Sequence, residues 1–224
     1  LNAEQQAQIT GADFEALLGW FNSQTAPLTD AQSGVHTHCV CGSNHQEIGD
    51  HKSADEKTFT AWTATDSLPG TAGSYYLTQS VTADWTVPTG EVNLCLNGQT
   101  ISGSITVGSG ATLTLTDCSG NGKVQGEVTV NGGKFELYSG TITGGVQVGI
   151  NGGSYQTGSS FTMYGGAITG NEDYGGVFLV GTTNHIDPPS FTMHGGTISD
   201  NTAGASDGGG GGVYVGEKCS FTMD

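Results

Sequence analysis

"SFTMYGGAITGN" at residues 160–171 returns as "SFTMHGGTISDN" at 190–201, and its first four residues return once more in "SFTMD" at 220–224. A phrase that comes back with its apolar residues in the same places marks a repeat architecture, in which each unit buries its apolar face against the next. The anchoring Phe residues stand at 135, 161, 191 and 221, at offsets of 26, 30 and 30 residues, and Leu113 and Leu94 continue the series backward at 22 and 19. Each unit also carries a second short strand: "GGVQVG" at 144–149, "GGVFLVG" at 175–181 and "GGVYVG" at 211–216.

Successive residues of a strand point to opposite faces. Phe161 and Met163 therefore turn inward around an outward Thr162, Phe191 and Met193 around Thr192, and Val213 and Val215 around Tyr214. Ile168 and Ile198 add an inward residue after a Gly-Gly corner, where a Cβ would obstruct the bend. Stacked at about 4.8 Å per layer, these side chains fill a narrow interior that needs few apolar residues per turn. A chain only 34% hydrophobic can fold in this way. The expected fold is all-β, a right-handed parallel β-helix (solenoid) over residues 60–224. An antiparallel β-sandwich gives no reason for the register-keeping F-T-M-x-G-G-x-I.

Two regions precede it. Residues 1–35 form an N-terminal helical segment, because Phe14, Leu17, Leu18 and Phe21 fall at helical spacing and predict a helix over 12–22 that packs against its neighbour. Residues 36–59 are polar and read as a small Cys/His-rich loop. At the other end, the break inside "SFTMD" leads us to expect further coils of the same helix beyond residue 224.

Charge narrows the partners. Asp and Glu number 21 against 5 basic residues, all Lys, for a net charge of −16. Such a surface repels phosphate backbones and anionic head groups, so nucleic acid is excluded as a partner. No apolar run approaches the ~18 residues of a membrane span, so no membrane insertion is expected in this segment. Five cysteines (39, 41, 95, 118 and 219) are too few for a disulfide scaffold of this size. Cys95 and Cys118 lie on adjacent coils, 23 residues apart; alternation turns Cys95 outward and leaves Cys118 in a turn, and both read as free thiols.

Together, "HTHCVCG" (36–42), the long stretch "AWTATDSLPGTAGSYYLTQSVTADWTVPTGEVNLCLNGQTISG" (61–103) and the repeated "SFTMYGGAITGN…GGVFLVG" resemble the adhesin-like, Gly-rich-repeat surface proteins of anaerobic gut bacteria. The resemblance covers about residues 36–224. It implies a right-handed parallel β-helix on a secreted or cell-surface bacterial protein, with no established enzymatic activity.

His36, His38, Cys39, Cys41, His45 and His51 crowd into 16 residues and account for four of the six His and two of the five Cys. Zinc takes four soft or borderline ligands in a tetrahedron, and a Gly-containing polar loop can wrap to supply them. Cys39, Cys41, His45 and His51 form a C-x-C-x3-H-x5-H arrangement that closes a structural Zn2+ site, with His36 and His38 as alternates. A closed site of this kind staples a segment too polar to build its own core.

Parallel β-helices also host polysaccharide lyases and glycosidases. The absence of Arg disfavours lyases that bind acidic sugars. Glycoside hydrolysis requires two carboxylates about 5–9.5 Å apart, for which the loop residues Asp173 and Asp200 are the candidates. The sequence is better read as a non-enzymatic, extracellular adhesive or spacer module. Its expected partners are a glycan or a host or bacterial surface protein.

Overall fold

The computed structural model describes residues 35–40, 56–151, 154–155, 158–181, 187–204 and 210–224. The helix expected over 12–22 lies outside the described residues. Those that are described form strands and turns, with no helix among them.

Three parallel sheets make up the body. The first has nine strands, in order Val35–Cys39, Glu56–Trp62, Gly73–Leu77, Gly90–Cys95, Ala111–Thr116, Lys134–Leu137, Ser160–Met163, Ser190–Met193 and Ser220–Met223; only the first pair is antiparallel. The second has five strands, running from Thr100–Ile101 to Thr197–Ser199, and the third has six, running from Trp85–Thr86 to Val213–Val215. From Gly90 onward the chain visits first, second and third sheet in rotation, with one antiparallel hairpin, Ile150–Asn151 and Ser154–Tyr155, inserted between circuits. Each sheet thus gains one strand per circuit, laid beside its counterpart from the circuit before.

The repeated phrase sets the register. Phe135, Phe161, Phe191 and Phe221 are paired in sequence along the first sheet, as are Met163, Met193 and Met223. The four Phe rings stack with centroids 5.0, 4.7 and 4.9 Å apart and interplanar angles of 11° or less. Ile142, Ile168 and Ile198 do the same in the second sheet, and Val146, Val177 and Val213 in the third. Apart from Phe221 and Met223, which are exposed, these residues form one continuous core with Val92, Leu94, Ile105, Leu113 and Leu115, most of them fully buried. The earliest member of the Phe series needs correction: Leu113 pairs with Val92, while Leu94 pairs with Leu115. Val92 and Leu94 both point inward, and a slip of two residues keeps the same face, so alternation alone cannot separate them.

Corners explain part of the glycine content. Gly103, Gly126 and Gly144 each stand two residues before a strand of the third sheet. A Cβ on Gly126 would lie 2.3 Å from the Gly103 carbonyl oxygen, and one on Gly144 would lie 2.3 Å from the Gly126 carbonyl carbon. The backbone of one corner rests on that of the last, leaving no room for a side chain. Later circuits add an asparagine: Asn201 donates from Nδ2 to the Ile168 carbonyl at 3.0 Å, and its Oδ1 accepts from the Asn171 amide at 3.0 Å. Asn97 and Gly98, at φ 48° and 77°, make the left-handed turn expected of an Asn-Gly pair.

Candidate metal centre

The strands of the first sheet also carry side chains on the face turned away from the main core. Tyr76 lies next in sequence to inward Leu77, and Cys95 lies between inward Leu94 and Leu96, so both point outward. Register carries a row across this face: His36 opposite Phe59, Ala61 opposite Tyr76, and Tyr76 opposite Cys95. Cys39, Val40, Phe59, Tyr76 and Cys95 form a second apolar cluster here, with Ala61, Cys118 and Tyr138 packed against it.

Three strand steps separate His36 from Cys95, about 14 Å on a flat sheet at ~4.8 Å per step. Yet His36 Nε2 stands 3.9 Å from Cys95 Sγ and 3.3 Å from Cys118 Sγ. This end of the sheet therefore curls over its own outer face. Aromatic packing holds the curl, because the His36 ring stacks on Tyr76 at 4.7 Å and the His38 ring on Phe59 at 4.4 Å. Phe59 is fully buried beneath the two imidazoles although it belongs to the outer face.

Four possible ligands converge: His36, His38, Cys95 and Cys118 each offer an atom, all within 4.8 Å of one another. His36 and His38 are two apart on one strand and so share a face. Cys95 ends its strand, and Cys118 follows the next strand of the sheet by two residues, which brings the sulfurs to 3.4 Å. The turn carrying Cys118 is fixed by buried Asp117, whose carboxylate accepts from the Gly98 and Gly122 amides at 2.7 Å each.

These spacings suit a small tetrahedral ion. With metal–sulfur bonds near 2.3 Å and metal–nitrogen bonds near 2.05 Å, a tetrahedron has edges of about 3.8 Å between sulfurs and about 3.6 Å between sulfur and nitrogen. The sulfur–sulfur edge, at 3.4 Å, is a few tenths of an ångström short of that value, and the two sulfur–nitrogen edges to His36, at 3.3 and 3.9 Å, lie on either side of theirs. His38 is set up as the fourth ligand, since its Nδ1 bonds to the Cys39 carbonyl at 2.5 Å while its Nε2 is buried among the converging ligand atoms. A ligating histidine commonly anchors its second nitrogen in this manner, which fixes the ring and its tautomer.

The groups of the site hold their protons unequally. The Cys118 thiol is pushed down to about 4, chiefly by the Cys95 thiol hydrogen-bonding to it; burial opposes this, and the two histidines add to it. Cys95 is correspondingly held protonated, by that same bond and by burial. At His38 burial pulls the pKa down, but the Cys118 sulfur, the Cys39 carbonyl and the charge of Asp117 outweigh it and raise the net value.

The structure places the sequence candidates as follows. His36 and His38, the alternates, belong to the converging group. Cys39 does not: it follows His38 directly and is buried in the second apolar cluster, outside the converging group. Cys41, His45 and His51 lie outside the described residues. The flanks of the stretch read as a loop are strands of the first sheet, Val35–Cys39 and Glu56–Trp62. Sequence reasoning noted that Cys95 and Cys118 sit on neighbouring coils but did not count them among the candidate ligands. The spacing H-x-H in an alternating segment was the signal that two imidazoles face one side. Asp173 and Asp200 are both exposed, and Asp200 sits in a turn at φ 56°.

No protein-family model, curated protein or solved structure matches the chain. Among the described residues, no helix is long and apolar enough to cross a membrane.

Proposed function

We propose that this chain is a non-enzymatic module of a secreted or cell-surface bacterial protein: a right-handed parallel β-helix that serves as a rigid adhesive or spacer element. We further propose a structural Zn2+ ion bound by His36, His38, Cys95 and Cys118. The β-helix reading is supported by the rotation of the chain through three parallel sheets, and the handedness by the general preference of parallel crossovers. The observation that carries the functional reading is the filled interior. Phe135, Phe161, Leu137, Met163, Ile168 and Val177 are buried against one another to 1% exposure or less, leaving the outer faces for recognition. With 21 acidic groups and no Arg, those faces suit neutral partners such as glycans better than anionic ones.

Zinc is favoured over harder cations because two sulfurs and two imidazole nitrogens match its preferred donors, and its tetrahedral coordination is met within a few tenths of an ångström at three edges. Bound there, the ion would tie the first strand to two later circuits. Metal analysis of purified protein tests this, with one equivalent of zinc expected in the wild type and none in Cys118→Ser. Retention of zinc by Cys118→Ser, with loss in Cys41→Ser, would move the site to the ligand set first read from 39–51.

One observation favours a second reading, a glycan-processing surface. Burial and the neighbouring charge of Asp173 raise the Glu127 carboxyl, opposed by the Thr129 hydroxyl donating to it, and Tyr174, Phe178 and Tyr214 form an aromatic group on the adjoining face. A buried acid whose pKa is raised, beside a second carboxyl group, resembles the carboxyl pairs that glycosidases use. A glycan array separates the readings: selective binding without cleavage supports an adhesin, and silence supports a spacer. Cleavage of a neutral glycan, abolished in Glu127→Gln or Asp173→Asn, would replace both with a hydrolase.

A further inference from the structure

Cys95 and Cys118 are close enough to each other to do something other than bind metal. We infer that the pair is a metal-or-disulfide switch, in which a peroxide converts the two zinc-binding sulfurs into a Cys95–Cys118 disulfide and expels the ion. This rests on the zinc reading above. Three features of the site argue for it.

The first is distance. The sulfurs are 3.4 Å apart with no bond between them, so about 1.4 Å of approach makes a disulfide of normal length. The second is compliance. Cys95 is locked at the end of a strand, but Cys118 sits in the turn beyond the next one, where a side-chain rotation can supply the approach without breaking a sheet pairing. The third is asymmetric access. Cys95 is fully buried whereas Cys118 is partly exposed, so a small oxidant meets Cys118 first and finds Cys95 positioned behind it as the resolving thiol.

The chemistry balances with a hydroperoxide as the oxidant. The Cys118 thiolate attacks one peroxide oxygen, the O–O bond breaks, and Cys118 becomes a sulfenic acid while the other oxygen leaves as hydroxide, protonated to water. Cys95 sulfur then attacks the Cys118 sulfur, the S–O bond breaks, and the hydroxyl group leaves as a second water. Two electrons pass from the sulfurs to the peroxide, and two thiolates, two protons and one hydrogen peroxide give one disulfide and two waters. The zinc ion, left with only two imidazoles, dissociates.

The consequence is mechanical. Zinc links three segments, the first strand through His36 and His38, and two adjacent circuits through the cysteines. The disulfide keeps the link between circuits and releases the first strand, which then depends on its pairing with Glu56–Trp62 and on the ring stacks to Phe59 and Tyr76. Oxidation would loosen one end of the module without unravelling its body.

The test uses the whole chain carrying Cys39→Ser, Cys41→Ser and Cys219→Ser, so that Cys95 and Cys118 are the remaining thiols. Zinc-loaded protein is titrated with hydrogen peroxide while released zinc is followed with a chromogenic chelator and free thiols with a colorimetric disulfide reagent. One zinc released for every two thiols lost, with peptide mapping that joins Cys95 to Cys118 and reversal by a phosphine reductant plus zinc, is the expected result. If zinc binds but stays bound at stoichiometric peroxide, or leaves with Cys118 oxidised to sulfinic acid and no cross-link, the switch is overturned and the metal site stands. If the triple variant and the wild type both fail to bind zinc, the metal reading falls and the switch falls with it.

Discussion

Replacing one ring in the Phe stack isolates how much of this fold is held by like-on-like stacking between circuits. Phe161 is 1% exposed and lies between Phe135 and Phe191, at 5.0 and 4.7 Å; Phe221 is 37% exposed and has one stacking neighbour, Phe191, at 4.9 Å. Truncating a buried Phe to Ala costs about 3–5 kcal/mol, and each stacked aromatic pair adds roughly 0.5–1.5 kcal/mol, in part already counted in that range. Phe161→Ala is therefore expected to cost about 4–6 kcal/mol. For Phe221 about two thirds of a transfer energy of roughly 1.5–3 kcal/mol is at stake, plus one pair, and no closed cavity remains, so Phe221→Ala should cost about 2 kcal/mol. Urea unfolding followed by circular dichroism measures the difference. Amide exchange in Lys134–Leu137 and Ser190–Met193 shows whether the loss is local, as nearest-neighbour coupling in a repeat protein requires. Equal costs for the two substitutions, within about 1 kcal/mol, would refute the reasoning, because the stack would then not be the element that couples circuits.

Other outcomes follow from single contacts. Gly126→Ala forces a Cβ to 2.3 Å from the Gly103 carbonyl oxygen and is expected to cost at least about 2 kcal/mol in urea unfolding, whereas Gly170→Ala, with open space around it and only φ 77° to strain, should cost about 1 kcal/mol. Glu127, raised above its ordinary 4.5 chiefly by burial, binds its proton more tightly folded than unfolded. Stability should fall as pH rises from that ordinary value through the raised one and then level off. Glu127→Gln should flatten the fall and be the more stable form at neutral pH, as read from denaturation midpoints across the acid range. Chelation of zinc held at 100 times its dissociation constant should remove about 2.7 kcal/mol, and hydrogen exchange should show the first effect in Val35–Cys39. His38→Ala should abolish that chelator response.

The repeat body was legible in the sequence because its information is local. F-T-M states the alternation, Gly-Gly states the corner, and recurrence states that Phe161 pairs with Phe191 and Phe191 with Phe221. Legibility faded where the phrase did. "VNLCL" offers both Val92 and Leu94 as inward residues, and nothing local tells which of them sits beside Leu113. The corner glycines needed the structure for a different reason. Gly103 and Gly126 belong to no repeated word, and their need for glycine arises from backbone distant in sequence, that of Ala83 for Gly103 and that of Gly103 for Gly126.

The candidate metal centre was half legible for the same reason in reverse. Clustering in sequence pointed to residues 36–51, and proximity along the chain suggested that the ligands would all come from there. Cys39 follows His38 directly but stands outside the converging group. The first strand offers His36 and His38, and must then find its sulfurs elsewhere, 59 and 82 residues on, at Cys95 and Cys118. Those two cysteines were placed correctly on adjacent coils, but outward-facing thiols gave no reason to expect a partner until the sheet was seen to curl over them. Curling goes with rings: His36 stacks on Tyr76 and His38 on Phe59 at this edge, and the same two imidazoles belong to the proposed ligand set. Packing and coordination thus share two residues, so a variant that keeps the stack but cannot ligate separates them. His36→Phe should retain much of the curl, seen as continued protection of the Glu56–Trp62 amides, while losing zinc. Loss of that protection in His36→Phe, with restoration by no metal, would show that coordination rather than aromatic packing closes this end of the sheet.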